Sequence, residues 1–388
     1  MAIAKILLIL NALLIWNSSI AQTLYLGLNA DLKGGSAQSG EAIRLGIEMA
    51  IKDINKSGML GKYSLALRTK DHRGNPARGI DNVLDYADDE DVIAIIGGLH
   101  TPVIMHELPI IHKKKIPYLV PWAAGTPIIK NGYEPNYVFR LSVRDEFAGE
   151  VLIRHAKDSG FNQVGLLLER TGWGRSNDKS MYKASNKLGL NITSVQWFNW
   201  GEKDFSTLIK ELRDSGAQAI MLVANAPEGV EVIKAMSTLP SNERLPVISH
   251  WGITGGNFVA QVGLDNLAKV DLRVLQTYLF DNVESNKTAN ILLQRYKSKM
   301  KQKHNYVKAT PGFAHSYDLV HLLAKAIQNS PSPTRETVRN QLEKIKEYSG
   351  LIKIYRKPFS AKNHEAIGPD SYQIARFNKQ GHIVPWGK

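Results

Sequence analysis

The stretch from Asp91 to Gly98, DVIAIIGG, is the sequence feature that most constrains the fold. It is an almost continuous run of apolar residues without the alternation of a strand that has one face in water. Such a run is typical of a strand in a parallel sheet whose two faces are both covered by helices. The segments that follow agree, because HTPVIMHELPIIHKK has a helical pattern and IPYLVPW has a strand pattern.

The same alternation of strand and helix patterns runs through the chain. It begins with the strand candidate TLYLGLNA and the helical stretch Glu41 to Lys56, and it starts again after Phe139-Arg140. Alternating strands and helices predict an α/β protein with parallel sheets. We therefore expect two doubly wound, Rossmann-like lobes of similar size. The end of the chain, Tyr372 to Phe377 and then His382 to Val384, predicts a hairpin.

The first 21 residues form a separate segment. They contain one early cation, Lys5, then the apolar run Ile6 to Trp16, and they end in Ser19-Ile20-Ala21. This order is typical of a secretory signal peptide that is cleaved after a small residue. The alternative is a membrane anchor, but the apolar run is shorter than the roughly 20 residues that a bilayer requires. We expect residues 1–21 to be a signal peptide and the protein to reach the periplasm.

Composition narrows the class of protein further. The 388 residues contain no cysteine, so disulfides, thiol catalysis and cysteine metal sites are excluded. The formal charge is +13, but the basic tracts are short and the longer one, Lys297 to Lys303, lies in a helical pattern. We interpret it as a solvated helix face and expect no nucleic-acid partner.

Motifs of common enzyme classes are missing from the sequence. We find no Gly-x-Ser-x-Gly, no His-Glu-x-x-His and no phosphate loop of the Gly-x-x-x-x-Gly-Lys type. His100, His106 and His112 are spaced by six residues, which does not place three ligands on one helix face. The sequence therefore predicts no enzyme, no metal and no cofactor.

Several blocks, in order, resemble one known family. They are LGLNADLKGGSAQSGEAIRLGIEMAIKDINKSGMLG, RTKDHRGNPARGIDNV, VIAIIGGLHTPVIMHELPIIHKKKIPYLVPWAAGTP, YVFRLSVRDEFAG and GEKDFSTLIKELRDSGAQAIML. They are similar to the type I periplasmic solute-binding proteins of ABC transporters, in the branch that includes the leucine/isoleucine/valine-binding proteins. The resemblance implies two lobes that are joined by a three-strand hinge and close on a small-molecule ligand. It also implies a monomer that delivers the ligand to an ABC transporter permease in the inner membrane.

The resemblance also places the hinge and divides the chain. It implies crossovers near Arg140 to Arg144, near Leu275 to Tyr278 and near Ile352 to Pro358. The first lobe would then comprise residues 22–141 plus 277–354, and the second would comprise 142–276 plus 355–388.

Ligand residues are implied at the loops that follow the strands. His100 and Thr101 stand where the family offers hydroxyl groups to a ligand carboxylate, and Trp173 stands where it often has a tyrosine. At the last loop the family's amino-acid binders carry an acid for the ligand's ammonium group, and here His250-Trp251 occupies that place. The implied ligand-binding residues are His100, Thr101, Trp122, Ala123, Ala124, Trp173, Arg175, Asn225, His250 and Trp251.

An indole does not replace a carboxylate as the partner of a buried cation. With Arg140, Arg144 and Arg175 as cationic candidates, we therefore expect a small organic anion with an aromatic or flat apolar body. The alternative for Arg140 is a structural pair with Asp145 or Glu146, and Trp251 has the alternative of packing its loop onto the core. Alternative ligands are an amino acid, an amide or a quaternary amine held by cation–π contacts. An alternative role is ligand sensing with a membrane sensor kinase or chemoreceptor.

Overall fold

The computed structural model describes residues 22–281, 283 and 286–387. The predicted signal peptide lies outside the described residues. Within those ranges, none of the helices has the length and apolarity needed to cross a membrane.

Fourteen strands and twelve helices are defined in this part of the chain. The strands are β1 Gln22–Ala30, β2 Tyr63–Asp71, β3 Val92–Gly97, β4 Tyr118–Val120, β5 Val138–Arg140, β6 Gln163–Glu169, β7 Asn191–Phe198, β8 Ala219–Val223, β9 Val247–Ser249, β10 Leu272–Gln276, β11 Glu347–Ser349, β12 Ile354–Arg356, β13 Gln373–Phe377 and β14 Ile383–Pro385. The helices are α1 Ala37–Ser57, α2 Pro76–Asp88, α3 Thr101–Lys113, α4 Asp145–Asp158, α5 Gly172–Leu188, α6 Ser206–Asp214, α7 Ala226–Thr238, α8 Phe258–Val262, α9 Leu264–Leu267, α10 Lys287–Met300, α11 Thr310–Gln328 and α12 Arg335–Leu342.

The first sheet has the order β2-β1-β3-β4-β5 and is parallel throughout. All six residues of β3 are buried, as its continuous apolar sequence predicts. Helix α11 packs closely on α1, because a Cβ on Gly46 would lie 2.2 Å from the backbone oxygen of Phe313. Glycine at this position lets the two helices approach and cover one face of the sheet.

The second sheet has the order β14-β13-β10-β9-β8-β6-β7. Strands β7, β6, β8, β9 and β10 are parallel, and the antiparallel β13–β14 hairpin extends the edge. The hairpin confirms the sequence prediction, and Gly381 takes the left-handed conformation in its turn with φ 75°. Two mainly parallel sheets with flanking helices confirm the predicted α/β fold of two Rossmann-like lobes.

The chain passes from the first sheet to the second after β5, which ends at Arg140, and leaves the second sheet after β10. The third passage differs from the prediction of Ile352 to Pro358. Tyr355 still donates its hydroxyl to Asp318 of α11 at 2.7 Å, and the Ala366 N–H donates to the Arg140 carbonyl of β5 at 2.9 Å. Strand β13 then pairs with β10 in the second sheet. These contacts favour a third crossover between 366 and 373, and the residue boundaries of the lobes stay a prediction.

Candidate functional site

The loops after the parallel strands of the two sheets face each other, and several of them touch. The ring of Trp122, after β4, meets that of Trp251, after β9, edge to face with 6.1 Å between centroids. His100, before α3, contacts Trp200, after β7, with 5.1 Å between centroids. The Thr126 N–H donates to the Ser176 hydroxyl of α5 at 3.2 Å. The lobes are therefore closed on each other, with the strand-end loops inside.

Trp251 packs across this cleft. It opens a short turn of 3-10 helix after β9, and 1% of the residue is exposed. One neighbour is Trp122, and another is His315 of α11, whose ring centroid lies 5.5 Å away. Both neighbours belong to the opposite lobe. Trp251 therefore does more than pack its own loop onto its own core, because it forms part of the contact between the lobes.

Asp145 is a buried carboxylate in the cleft that the sequence did not indicate as a ligand residue. It is the first residue of α4, and its N–H donates to the Ala124 carbonyl at 3.0 Å. Its Oδ1 accepts the indole N–H of Trp173 at 3.1 Å, and its side chain is 0% exposed. Its Oδ2 has no hydrogen-bond partner among the described residues. A buried carboxylate with one unsatisfied oxygen is costly, which marks it as a candidate for function.

His250 lies directly beside this carboxylate. Its Nδ1 accepts the Trp251 N–H at 2.9 Å, so we assign the ring proton to Nε2. Nε2 is 3.3 Å from Asp145 Oδ1 but lacks hydrogen-bond geometry to it. His250 thus adds a buried N–H donor beside the Asp145 carboxylate.

Two further donors face the same contact between the lobes. In the part of the chain that the structure describes, neither Trp122 Nε1 nor Ser39 Oγ has a hydrogen-bond partner. The hydroxyl of Ser39 reaches the loop after β9, because a Cβ on Gly255 would lie 2.2 Å from it. We define the central cluster as Ser39, Trp122, Asp145, Trp173, His250 and Trp251. Its donors suit a carboxylate or carbonyl oxygen, its Asp145 suits an ammonium group, and its indoles suit an apolar body.

The predicted cations do not contribute free charge to this cluster. Arg140 is fully buried and pairs with Glu365, while its Nη1 donates to the Gly125 carbonyl at 2.8 Å. Arg144 pairs with Glu146 at 2.7 Å and Glu365 at 3.5 Å. Arg140 therefore forms a structural ion pair, as the alternative prediction states. Its partner, however, is Glu365 rather than Asp145 or Glu146.

The sequence predicts that Arg175 binds the ligand in the cleft, but the position of Arg175 in the structure differs from that prediction. It lies on α5 two residues after Trp173, and its side chain is exposed. Residues two positions apart on a helix point in different directions, so the inward position of Trp173 turns Arg175 outward.

Three other predicted residues hold the loops together. The Thr101 hydroxyl accepts the Gly125 N–H at 3.2 Å. The carbonyl of Ala123 accepts from Arg140 Nη1 at 3.4 Å, and that of Ala124 accepts the Asp145 N–H. All three residues are buried. Their role as ligand-binding residues stays a prediction.

A second feature of the cleft is a cavity of about 250 Å³, which we call the side cavity. Residues of both lobes line it, chiefly Asp31, Arg73, His100, Trp200, Asn225 and Glu228. The predicted residues His100 and Asn225 thus face each other across it. Their buried His100 Nδ1 and Asn225 Oδ1 atoms have no hydrogen-bond partner within the described ranges.

Glu169, at the end of β6, lies behind the side cavity. It is fully buried and accepts hydrogen bonds from the Thr171 hydroxyl at 2.5 Å, the Trp200 indole at 3.0 Å and the Asn225 amide at 3.1 Å. Burial raises its pKa to about 7, against the opposing effect of these donors. Burial lowers the pKa of His100 to about 4, so this ring is neutral at pH 7.

A weak signal in the sequence marks several of the site residues that were not predicted. Asp145 stands immediately after the crossover block YVFRLSVR, and Trp200 follows the strand ITSVQWF. Both are therefore at strand or crossover ends, the places where open α/β sheets bind ligands. Asp31 carries the same signal, because it directly follows β1. Ser39 and Glu228 lie within the first turns of α1 and α7.

Comparison with known proteins agrees with this geometry. The family model described as periplasmic binding protein matches residues 23–382. The Leu/Ile/Val-binding protein homolog 1 of Brucella suis is 26% identical over 232 residues, which cover 59% of this chain and 61% of that protein. The chain thus aligns with only about three fifths of this curated relative's length.

Solved structures share the fold across nearly the whole chain. The branched-chain amino acid transporter substrate-binding protein LivJ of Streptococcus pneumoniae, in complex with isoleucine, has a TM-score of 0.80 at 18% identity, with 94% of this chain and 99% of that chain covered. An R. palustris ABC transporter solute-binding protein in complex with 4-hydroxybenzoate has a TM-score of 0.73 at 18% identity, with 94% and 95% covered. With the family model matched over most of its length, the chain belongs to the periplasmic binding protein family and has the type I fold.

Proposed function

We propose that this protein is the substrate-binding component of an ABC importer. It captures a small organic ligand in the periplasm and delivers it, as a monomer, to a permease in the inner membrane. It performs no catalysis. The observation that carries the proposal is the central cluster, where both lobes bring buried polar atoms together without satisfying them. Native proteins rarely leave such atoms unsatisfied unless a ligand or a chemical step requires them.

Capture proceeds by closure of the hinge. In an open state the loops of the two lobes separate, and the central cluster becomes accessible. A ligand that bridges Ser39 and Trp122 of one lobe and Asp145 and His250 of the other stabilises the closed state. Its differential affinity for that state sets how far the equilibrium shifts. The permease then recognises the paired outer surfaces that only the closed state presents.

The charges of the cleft bear on the class of ligand. The sequence-based prediction is an anionic or aromatic carboxylate, and the solute-binding protein crystallised with 4-hydroxybenzoate shares the fold. That prediction depended on free cations, but Arg140 and Arg144 are paired with carboxylates and Arg175 is exposed. Asp145 supplies the acid that is missing at Trp251. We therefore propose an amine-bearing ligand, which includes the amino-acid and quaternary-amine alternatives.

A thermal-shift panel followed by calorimetry tests the proposal. The panel contains L-amino acids, choline, benzoate and 4-hydroxybenzoate at high concentration. We expect amines to raise the Tm, since a ligand at 100 times its Kd stabilises by about 2.7 kcal/mol. Asp145→Asn keeps the shape of the side chain and removes its charge, and it should weaken amine binding roughly 30-fold or more.

The matched control is Asp158→Asn, which changes an exposed acid at the other end of α4 and should leave affinity unchanged. A Tm shift with the benzoates and none with amines would reverse the assignment of ligand class. No shift with any compound class would count against ligand capture itself.

A further inference from the structure

The side cavity lies next to the central cluster along the cleft. Its walls come from the loops after β1, β2 and β3 in the first lobe and after β7 and β8 in the second. In the central cluster the three tryptophans and His250 follow β4, β6 and β9, and β4 adjoins β3 while β9 adjoins β8. Asp145 follows β5, the next strand beyond β4, and Ser39 lies in α1. Neighbouring strands are about 4.8 Å apart. One elongated ligand can therefore occupy both places.

Asn225 is a lining residue of the side cavity that carries an unsatisfied hydrogen-bond acceptor. It is the N-cap residue of α7, where asparagine normally accepts an N–H of the first helical turn. Here it makes no such cap, because its amide nitrogen donates to Glu169 Oε2 at 3.1 Å. Its Oδ1 stays buried and unsatisfied by the residues that the structure describes. Only a donor group satisfies this oxygen.

The charges around the side cavity are mainly negative. Asp31 and Glu228 line it, and the Asp31 carboxylate also accepts the N–H groups of Gly34 at 2.6 Å and Ser36 at 2.9 Å. Glu169 behind them has a pKa of about 7 and is therefore only partly ionised at neutral pH. The Arg73 guanidinium is engaged by Asp71, with 3.1 Å between Nε and Oδ2. His100 and its neighbour His72 are neutral at pH 7, since burial lowers the pKa of His72 to about 3. The formal net charge of the protein is +13, so the acidic residues at this cavity contrast with the overall positive charge.

We propose that the side cavity binds an ammonium or guanidinium group at the far end of the ligand, whose α-amino end lies at Asp145. The ligand class is thus a basic amino acid or a comparable elongated amine. Glu228 and Asp31 supply the opposing charge, and Asn225 Oδ1 accepts a hydrogen bond from the ligand. This inference rests on the proposed function, because it refines what the same cleft captures.

The test compares L-lysine with L-norleucine, which has nearly the same chain without the terminal ammonium group. Calorimetry on the wild-type protein should give a Kd for L-lysine roughly tenfold or more below that for L-norleucine. Glu228→Gln should reduce this difference to less than about threefold, chiefly by weakening L-lysine binding. Glutamine still accepts the Gly201 N–H that Glu228 Oε1 accepts at 2.9 Å, so the loop is preserved.

Glu231→Gln is the matched control, since Glu231 lies one turn further along α7 and pairs with Lys203. It should preserve the full preference for L-lysine. Equal affinities for the two amino acids in the wild-type protein, or an unchanged preference in Glu228→Gln, would overturn the side-cavity assignment and leave the proposed function standing. Binding of neither amino acid, nor of any amine in the wider panel, would instead remove the amine assignment on which both rest.

Discussion

The hinge and the cleft both contain buried charged side chains, but the partners of these side chains differ. Arg140 in the hinge and Asp145 in the cleft are five residues apart and both fully buried. Arg140 has the carboxylate of Glu365 and two backbone carbonyls as partners, and its Nε has no hydrogen-bond partner among the described residues. Asp145 has the indole of Trp173 on one oxygen and, within the described structure, nothing hydrogen-bonded to the other.

The difference separates structural from functional charge. The pair between Arg140 and Glu365 joins the first and third passages of the chain near the point where the lobes meet. Removing either partner leaves an uncompensated buried charge. In the cleft the protein tolerates incomplete pairing, and proteins accept such local conflicts mainly where function requires them. Substitutions in the two regions should therefore affect different properties.

The largest effect should come from the hinge. Glu365→Ala leaves the Arg140 guanidinium buried without its carboxylate, and we expect a loss of about 3 to 5 kcal/mol in the free energy of unfolding. Urea denaturation measures it. Glu347→Ala is the control, because Glu347 is exposed and forms only a surface pair with Arg356 at 3.4 Å. Equal stabilities of the two variants would show that the hinge pair contributes little.

A pH-dependent effect should come from Glu169 behind the side cavity. Its pKa is about 7 in the folded protein and near its usual value of 4.5 when unfolded, so the folded state binds the proton more tightly. The contribution of Glu169 to stability is therefore fully present below pH 4.5 and is lost as the pH rises through 7. The loss from this group is up to roughly 3 kcal/mol.

The glutamine of Glu169→Gln cannot titrate. The free energy of unfolding of the variant, relative to that of the wild type, should therefore rise by up to roughly 3 kcal/mol between pH 4.5 and pH 8. Urea denaturation at several pH values measures this difference. Other buried acids, such as Glu107 with a pKa of about 7, contribute equally to both proteins. Parallel stability curves would mean that Glu169 is ionised in the folded protein over this range.

A smaller effect should come from the indole that orients Asp145. Trp173→Phe retains an aromatic ring but removes the N–H donated to Asp145 Oδ1 at 3.1 Å. We expect a loss of about 1 kcal/mol in stability and amine binding weakened by roughly fivefold to tenfold, since the carboxylate loses its fixed position. Calorimetry checks the affinity, and Trp197→Phe in strand β7 serves as the comparison. An unchanged Kd would mean that Asp145 needs no support from Trp173.

The sequence predicted the fold because local patterns carry it. Each of three patterns can be recognised within about a dozen residues: the apolar run of β3, the helical spacing of α1, and the hairpin of β13 and β14. The same reasoning placed Trp122, Trp173 and Trp251 at strand ends, and the structure brings them into one cleft.

The charge of the site was less predictable, because it depends on contacts between residues far apart in the chain. Arg140 has its partner 225 positions later in the chain, at Glu365. Asp145 gains its importance only when His250 and Trp173 fold against it. Arg175 points outward because Trp173, two residues earlier on α5, points inward. Helix α5 begins after the N-cap residue Thr171, which was not predicted from the sequence.

The contact between Trp122 and Trp251 gives the protein a built-in optical signal. The two indoles belong to different lobes and lie 6.1 Å apart at an interplanar angle of 63°. Chromophores this close couple their electronic transitions, and a separation of the lobes by several ångströms ends the coupling. Closure should therefore be visible as an exciton feature in near-ultraviolet circular dichroism. The rate of opening can then be followed in the unlabelled protein, without any reporter attached to its surface.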